Sequence, residues 1–359
     1  MEAGRAKHNS ASEGIASFFP GYFALVMATG IVSIACHLQG WQAVATGLLA
    51  LNIAAYLILW IFTCLRLGRF RRQFLKDLTH HERGAAFLTK AAATCVLGSQ
   101  FAILTPWREI ARSLWFFGFG LNVILSYIFF TAVTLSEPKP SLEAGISGSW
   151  LLVIVSTESV SVLGTLVAPS MAHTQTILFI SLACFLCGAM LYVFFATLIL
   201  YRWIFFIMPP EKLTPDYWID MGALAITALA GAILFERTSD WSFLSSLAPF
   251  LSGATLFFWA TATWWIPLLL VLEVWRHARG RVKFRYGPQY WALVFPLGMY
   301  AVATMMLSKA VALAFLNAVA KAFSYVALVA WAIVCVSMLH SWMRQLPCLS
   351  RIGTQTAPH

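Results

Sequence analysis

"SWLLVIVSTESVSVLGTLVAP", residues 149–169, decides the fold class. It holds a single ionisable side chain, Glu158, among apolar and hydroxyl-bearing residues. A helix crosses about 30 Å of hydrocarbon in roughly 20 residues, so the stretch is long enough to span a membrane. A strand of a membrane barrel would instead alternate apolar and polar positions. The rest of the chain repeats the pattern: 60% of its 359 residues are hydrophobic, 11% are charged and the mean hydropathy is +0.78. Soluble domains carry about 25% charge. The composition therefore specifies an all-α polytopic membrane protein.

Ten spans are expected, near 20–37, 43–65, 85–105, 113–135, 148–168, 175–201, 217–235, 244–272, 289–309 and 317–342. Residues 1–19 then form a polar N-terminal tail, 20–342 a ten-helix transport domain and 343–359 a C-terminal tail. The first 19 residues lack the basic, apolar and small-residue order of a cleaved signal, so the first span is expected to be retained.

Charge supports the count. Eighteen of the 24 Lys and Arg residues fall in the two tails and in the loops after even spans, against Arg108, Arg112 and Arg237 on the other side. By the positive-inside rule both termini are cytoplasmic, in a cytoplasmic (inner) membrane. The net charge of +10 then faces anionic lipid at the cytoplasmic loops, and no nucleic-acid module accompanies it.

Polar residues concentrate on odd spans. Thr29 and Ser33 lie on the first, Lys90 and Gln100 on the third, Ser156 and Glu158 on the fifth, and Thr304 on the ninth. Such faces suit the lining of a pathway. The alternative is that the hydroxyls bond to their own helix or join one helix to the next. Glu158 lies near mid-membrane, where an ionised carboxylate costs several kcal/mol unless it is solvated, paired or protonated. It reads as a proton-coupling site or as a buried tether. Lys90, near one mouth, reads as an attractor of anions or as a snorkelling lysine. Phe295 precedes Pro296, which frees a backbone carbonyl in its helix. An aromatic there fits core packing or steric closure of a narrow pore.

Nothing points to catalysis. Eight histidines show no metal-binding spacing, Cys184 and Cys187 read as small hydrophobes, and no nucleophile is paired with a base. No metal, cofactor or catalytic residue is assigned.

The segments "GYFALVMATGIVSIA" (21–35), "WLLVIVSTESVSVLGTLVAP" (150–169), "YWIDMGALAITALAG" (217–231) and "YWALVFPLGMYAVAT" (290–304) resemble the tellurite-resistance/dicarboxylate transporter family. That family includes bacterial tellurite-resistance channel homologues, plant slow anion channels and fungal malate transporters. The resemblance implies ten helices as five hairpins, with odd helices around a central pore and even helices outside, assembled as a homotrimer. It also implies that Phe295, in "VFPLG", is the gate. The resulting expectation is a transporter of small organic anions, C4-dicarboxylates such as malate, with Glu158 coupling a proton. The alternative is a gated anion channel for chloride, nitrate or sulfite-like ions.

Overall fold

A computed structural model describes residues 14–352. Arg5 and Lys7, counted above in the N-terminal tail, lie outside the described residues, as do residues 353–359.

Among the described residues, ten helices are long and apolar enough to cross a membrane. Spans one to five are Pro20–Leu38, Gln42–Arg69, Gly84–Leu104, Arg108–Leu135 and Gly148–Ser170. Spans six to ten are Thr174–Phe205, Pro215–Glu236, Ala248–Ala278, Pro288–Ala310 and Leu316–Arg344. In the last of these the helix continues to Ile352, into the stretch read as a tail.

Odd spans are 19–23 residues long and even spans 28–32. In the most apolar 18 residues of each odd span, 78–94% are buried, against 22–39% in the even spans. The chain thus spends its short helices inside and its long ones at the periphery. Span one packs on three, three on five, five on seven, seven on nine, and nine again on one. Each even span packs on the odd span before it.

Turns within four of these pairs are short, and only spans seven and eight are joined by a longer stretch, 237–247, which holds the short helix Ser242–Ser246. Residues 39–41 join spans one and two, and Gly40 takes φ +84°, a left-handed conformation that costs glycine nothing. The longer loop after span two forms a short helix, Arg71–Leu78. There Arg66 and Arg83 share Asp77, the Arg83 bond being 2.9 Å.

Each odd span opens with a 3₁₀ turn before its α-helix: Pro20–Phe23, Gly84–Leu88, Gly148–Leu151, Pro215–Trp218 and Pro288–Tyr290. These openings gather on the face that carries the basic loops, called the basic face below.

Close packing of the inner helices needs missing side chains. A Cβ on Gly98 would lie 2.5 Å from Leu163, and one on Gly298 would lie 2.8 Å from Ile31. At Gly148 the obstacle is backbone: a Cβ would lie 2.4 Å from the Asp216 carbonyl oxygen and 2.8 Å from the Tyr217 nitrogen. A carbonyl in the first turn of a packed helix cannot swing aside as a side chain can. Gly148→Ala is therefore expected to destabilise the protein by about 1–3 kcal/mol, seen as a lower midpoint of thermal unfolding in detergent, whereas Gly120→Ala, with nothing within 4 Å, leaves the midpoint unchanged or higher.

Candidate functional site

Two cavities lie on the line enclosed by the odd spans. The wide one, about 410 Å³, opens at the basic face among the five helix starts. The narrow one, about 150 Å³, lies toward the opposite face.

One spacing builds both. Span one supplies Ala24 to the wide cavity and Ile31, Ile34 and Leu38 to the narrow one. Span three supplies Thr89, then Val96, Ser99 and Ile103; span five Leu152, then Ser159, Val162 and Leu166. Span seven supplies Ile219, then Ile226, Leu229 and Ile233; span nine Ala292, then Met299, Val302 and Met306. In all five, the narrow cavity takes the residues seven, ten and fourteen positions after the residue in the wide cavity. At about 100° per residue these four positions form one helical face. The aromatic residues Tyr22, Phe87, Trp150, Tyr217 and Tyr290 each stand two positions before the residue in the wide cavity. The odd spans are five copies of one unit, aligned without a gap.

The residue three positions on from the wide cavity falls on the same face, between the two cavities. In the five spans it is Met27, Ala92, Val155, Gly222 and Phe295, all buried. Phe295 is the bulkiest, with 1% of its surface exposed. Opposite small neighbours, it is the side chain with the reach to fill the gap. Gly222 also lets span nine come close, since a Cβ there would lie 2.7 Å from Cγ of Pro296.

The wall of the narrow cavity is aliphatic apart from the Ser99 and Ser159 hydroxyls, with Lys309 at its rim. Around the wide cavity stand Arg83, Arg202 and Lys212, together with Glu82, Glu143, Glu211 and Asp216. Arg202, 5% exposed, is held by the Ile146 carbonyl at 2.9 Å and by the Tyr217 hydroxyl. The side chains of this mouth are therefore mixed in charge. The backbone adds partial positive charge, because five helix starts converge there with aligned peptide dipoles.

The polar residues picked from the sequence lie elsewhere. None of Thr29, Ser33, Lys90, Gln100, Ser156, Glu158 and Thr304 lines either cavity. Ser33 donates to the Ala45 carbonyl of span two at 2.8 Å, and Ser156 to Asn122 of span four at 2.6 Å. Gln100 accepts from Asn52 of span two at 2.6 Å. Thr29 accepts from the Trp331 indole of span ten at 3.0 Å, and Thr304 from that of Trp259 in span eight at 2.8 Å. Each of these bonds runs outward, from an odd helix to an even one. Lys90 is buried, its Nζ 5.2 Å from the centre of the Phe23 ring and 4.2 Å from that of Phe87. Glu158 is 0% exposed and turns toward Gly188 of span six, while the Thr227 hydroxyl of span seven donates to it at 3.2 Å.

The physical reason is the solvent. In hydrocarbon a polar side chain needs a partner, and the facing helix supplies one, so polarity marks helix joints as readily as passages. The lining residues were missed because they are Ile, Leu, Val and Met in a sequence full of them. Aligning the odd spans on the aromatic at each helix start would have found them. Among single cysteine substitutions, Val302→Cys and Val162→Cys are expected to react with a small thiosulfonate reagent above the wild-type background. Thr304→Cys and Ser156→Cys are not. Mass spectrometry of the labelled protein reads the difference.

Over residues 17–339 the chain matches the SLAC1 family, described as voltage-dependent anion channel. It is similar to an uncharacterised membrane protein of Mycobacterium tuberculosis, with 39% identity over 150 residues, 42% of this chain and 76% of the relative. An uncharacterised transporter of Methanocaldococcus jannaschii shares 25% identity over 307 residues, 82% of this chain and 85% of the relative. A sulfite efflux pump of Trichophyton rubrum shares 24% identity over 344 residues, 89% of each chain. The chain belongs to the voltage-dependent anion channel family, the one its "MATG" and "VFPLG" segments resemble. It is a multi-pass membrane protein of anion transport, not an enzyme.

Proposed function

We propose that this protein is a gated channel for small anions such as chloride, nitrate and sulfite-like ions, with its passage along the axis of the five odd helices. The observation that carries the reading is the shared face of those helices, with Phe295 at the level between a wide cavity at the basic face and a narrow one toward the other. In this reading the odd and even helices form five hairpins, inner and outer, and Phe295 is the gate. The conformation described here is closed.

The wall chemistry supports a small cargo. An anion entering at the basic face meets helix N-termini, which favour negative charge without holding it in a fixed ion pair. It then crosses an aliphatic section with two hydroxyls, where a tightly bound ion would stall and a dewetted constriction blocks conduction. A dicarboxylate such as malate would bring two charges into that section without a cationic partner there. The family description and the fungal sulfite efflux pumps among the relatives likewise favour small inorganic anions over malate.

Sidedness follows from the charge bias, with the basic face and both termini cytoplasmic in the inner membrane and anionic lipid around the basic loops. The exposed apolar faces of the even spans meet lipid or the other two copies of a homotrimer. Lys90, behind Thr89 at the wide mouth, adds a long-range attraction for anions from within the wall.

Liposomes containing the purified protein test this reading. Phe295→Ala is expected to raise nitrate and chloride flux by about tenfold or more, without any pH gradient, because it removes the steric block. Unchanged flux for every anion tried would reject Phe295 as the gate. Malate uptake faster than that of nitrate would restore the dicarboxylate assignment.

A further inference from the structure

Beside the axial passage, spans five, six and seven enclose a second line of polar groups that the anion reading does not use. It starts at the wide cavity, where Asp216 is part of the wall. One turn further along span seven comes Asp220, 0% exposed, with no hydrogen-bond partner on either carboxylate oxygen. Thr227 is seven residues beyond Asp220 and on the same face. Its hydroxyl lies 2.8 Å from the Ala223 carbonyl and 3.2 Å from Oε1 of Glu158, sharing one proton between them, and Oε2 of Glu158 has no partner.

Span six closes the line from the other side. Gly188, Tyr192 and Arg202 are four and fourteen residues apart and share one face. A Cβ at Gly188 would lie 2.3 Å from Oε1 of Glu158, so glycine makes the room for that carboxylate. Tyr192 comes within electrostatic reach of Asp220, and Arg202 within reach of Asp216. The Tyr192 hydroxyl accepts from the Trp265 indole of span eight at 2.7 Å, which leaves its own proton free to donate. Beyond Glu158, the Ser161 hydroxyl donates to the Ser181 carbonyl at 2.7 Å, the Ser181 hydroxyl has no partner, and Thr165 donates to Ser161 at 2.9 Å.

The charged and titratable groups facing this line are few. Span six presents Arg202 and Tyr192, with Cys184 and Cys187 near Glu158. Span seven presents Tyr217 beside Arg202. Neither Asp220 nor Glu158 lines the wide or the narrow cavity, and among the described residues no group of three or more His, Cys, Asp or Glu side chains is placed to hold a metal ion. A proton needs little room and no cavity.

We propose that this seam is a proton route, separate from the anion passage, in which Asp220 and Glu158 are the carriers. A proton from the wide cavity reaches Asp220 by way of Asp216 and makes it a neutral acid. Transfer to Glu158, along a transient file of waters beside span seven that ends at the Thr227 hydroxyl, restores the Asp220 carboxylate and neutralises Glu158. Release toward Ser161 and Ser181 returns Glu158 to its first state, so each cycle moves one proton and one positive charge. From Asp216 to Thr227 the helix rises about 16 Å, roughly half the hydrocarbon thickness. Intramembrane carboxylates in series are the usual material of such relays.

The test uses the full chain in liposomes with gluconate as the sole anion on both sides and a proton-sensitive dye inside. A potassium gradient with valinomycin sets the voltage. Wild-type protein is expected to pass protons at least about fivefold faster than empty liposomes, and Asp220→Asn and Glu158→Gln each to return the rate to the empty level. In the same preparations nitrate flux stays within about twofold of wild type, because neither residue lines the anion passage. If wild-type protein passes no more protons than empty liposomes, the route does not exist. If it passes protons and both variants match it, the carriers are wrong and the proposal falls. Should Asp220→Asn not fold, Glu158→Gln and Thr227→Val decide in its place. A protein that moves protons but no nitrate would overturn the anion reading and leave this one standing.

Discussion

Lipid gives helices no hydrophobic reason to associate, and the architecture follows from that constraint. With chains as apolar as leucine all around, the short inner helices are held by close contact and by hydrogen bonds made within the protein. Ser33, Gln100, Ser156 and Thr304 each bond to an even helix, which fixes their rotation about the helix axis. With polar groups turned outward to these joints, the faces left toward the axis are aliphatic. A passage with oily walls is thus a by-product of how its walls are fastened.

The same rotation sets the chemistry along the axis. Five helices in one register put five equivalent side chains at every level, so the bore at each level follows from five letters of the sequence. Around the narrow cavity those letters are mainly aliphatic residues and methionine; at the level before it one is phenylalanine, the residue that closes the bore in the proposed gating. At the basic mouth the equivalent element is the helix start itself, an N-terminus presented five times. In the proposed reading the attraction for anions there belongs to the backbone, beside the carboxylates of Glu82, Glu143, Glu211 and Asp216.

Much of the fold was legible in the sequence, because span length, charge bias and loop length are each direct consequences of the bilayer. The first and fifth spans, read as 20–37 and 148–168, emerge as Pro20–Leu38 and Gly148–Ser170. The site was legible only in part. Phe295 stood out through its neighbour Pro296 and a family resemblance, and it lies on the axial face. Serine, threonine and glutamine on the odd spans carry no mark that separates a passage wall from a helix joint, since both satisfy a polar group in hydrocarbon. Asp220 is one acidic letter in the apolar run of span seven, and its isolation appears only when the neighbouring helices are in place.

The narrow level has one further consequence. Met27, Ala92, Val155, Gly222 and Phe295 occupy equivalent positions, but they are far from equal in size. The ring is fivefold in its backbone and onefold in its obstruction. Widening an iris requires all its blades to move together; in the proposed gating, four-fifths of the circumference can stand still while one side chain changes rotamer. The inner helices can therefore be packed for permanence, Gly148 against the Asp216 backbone included, without forbidding the motion that opens the bore.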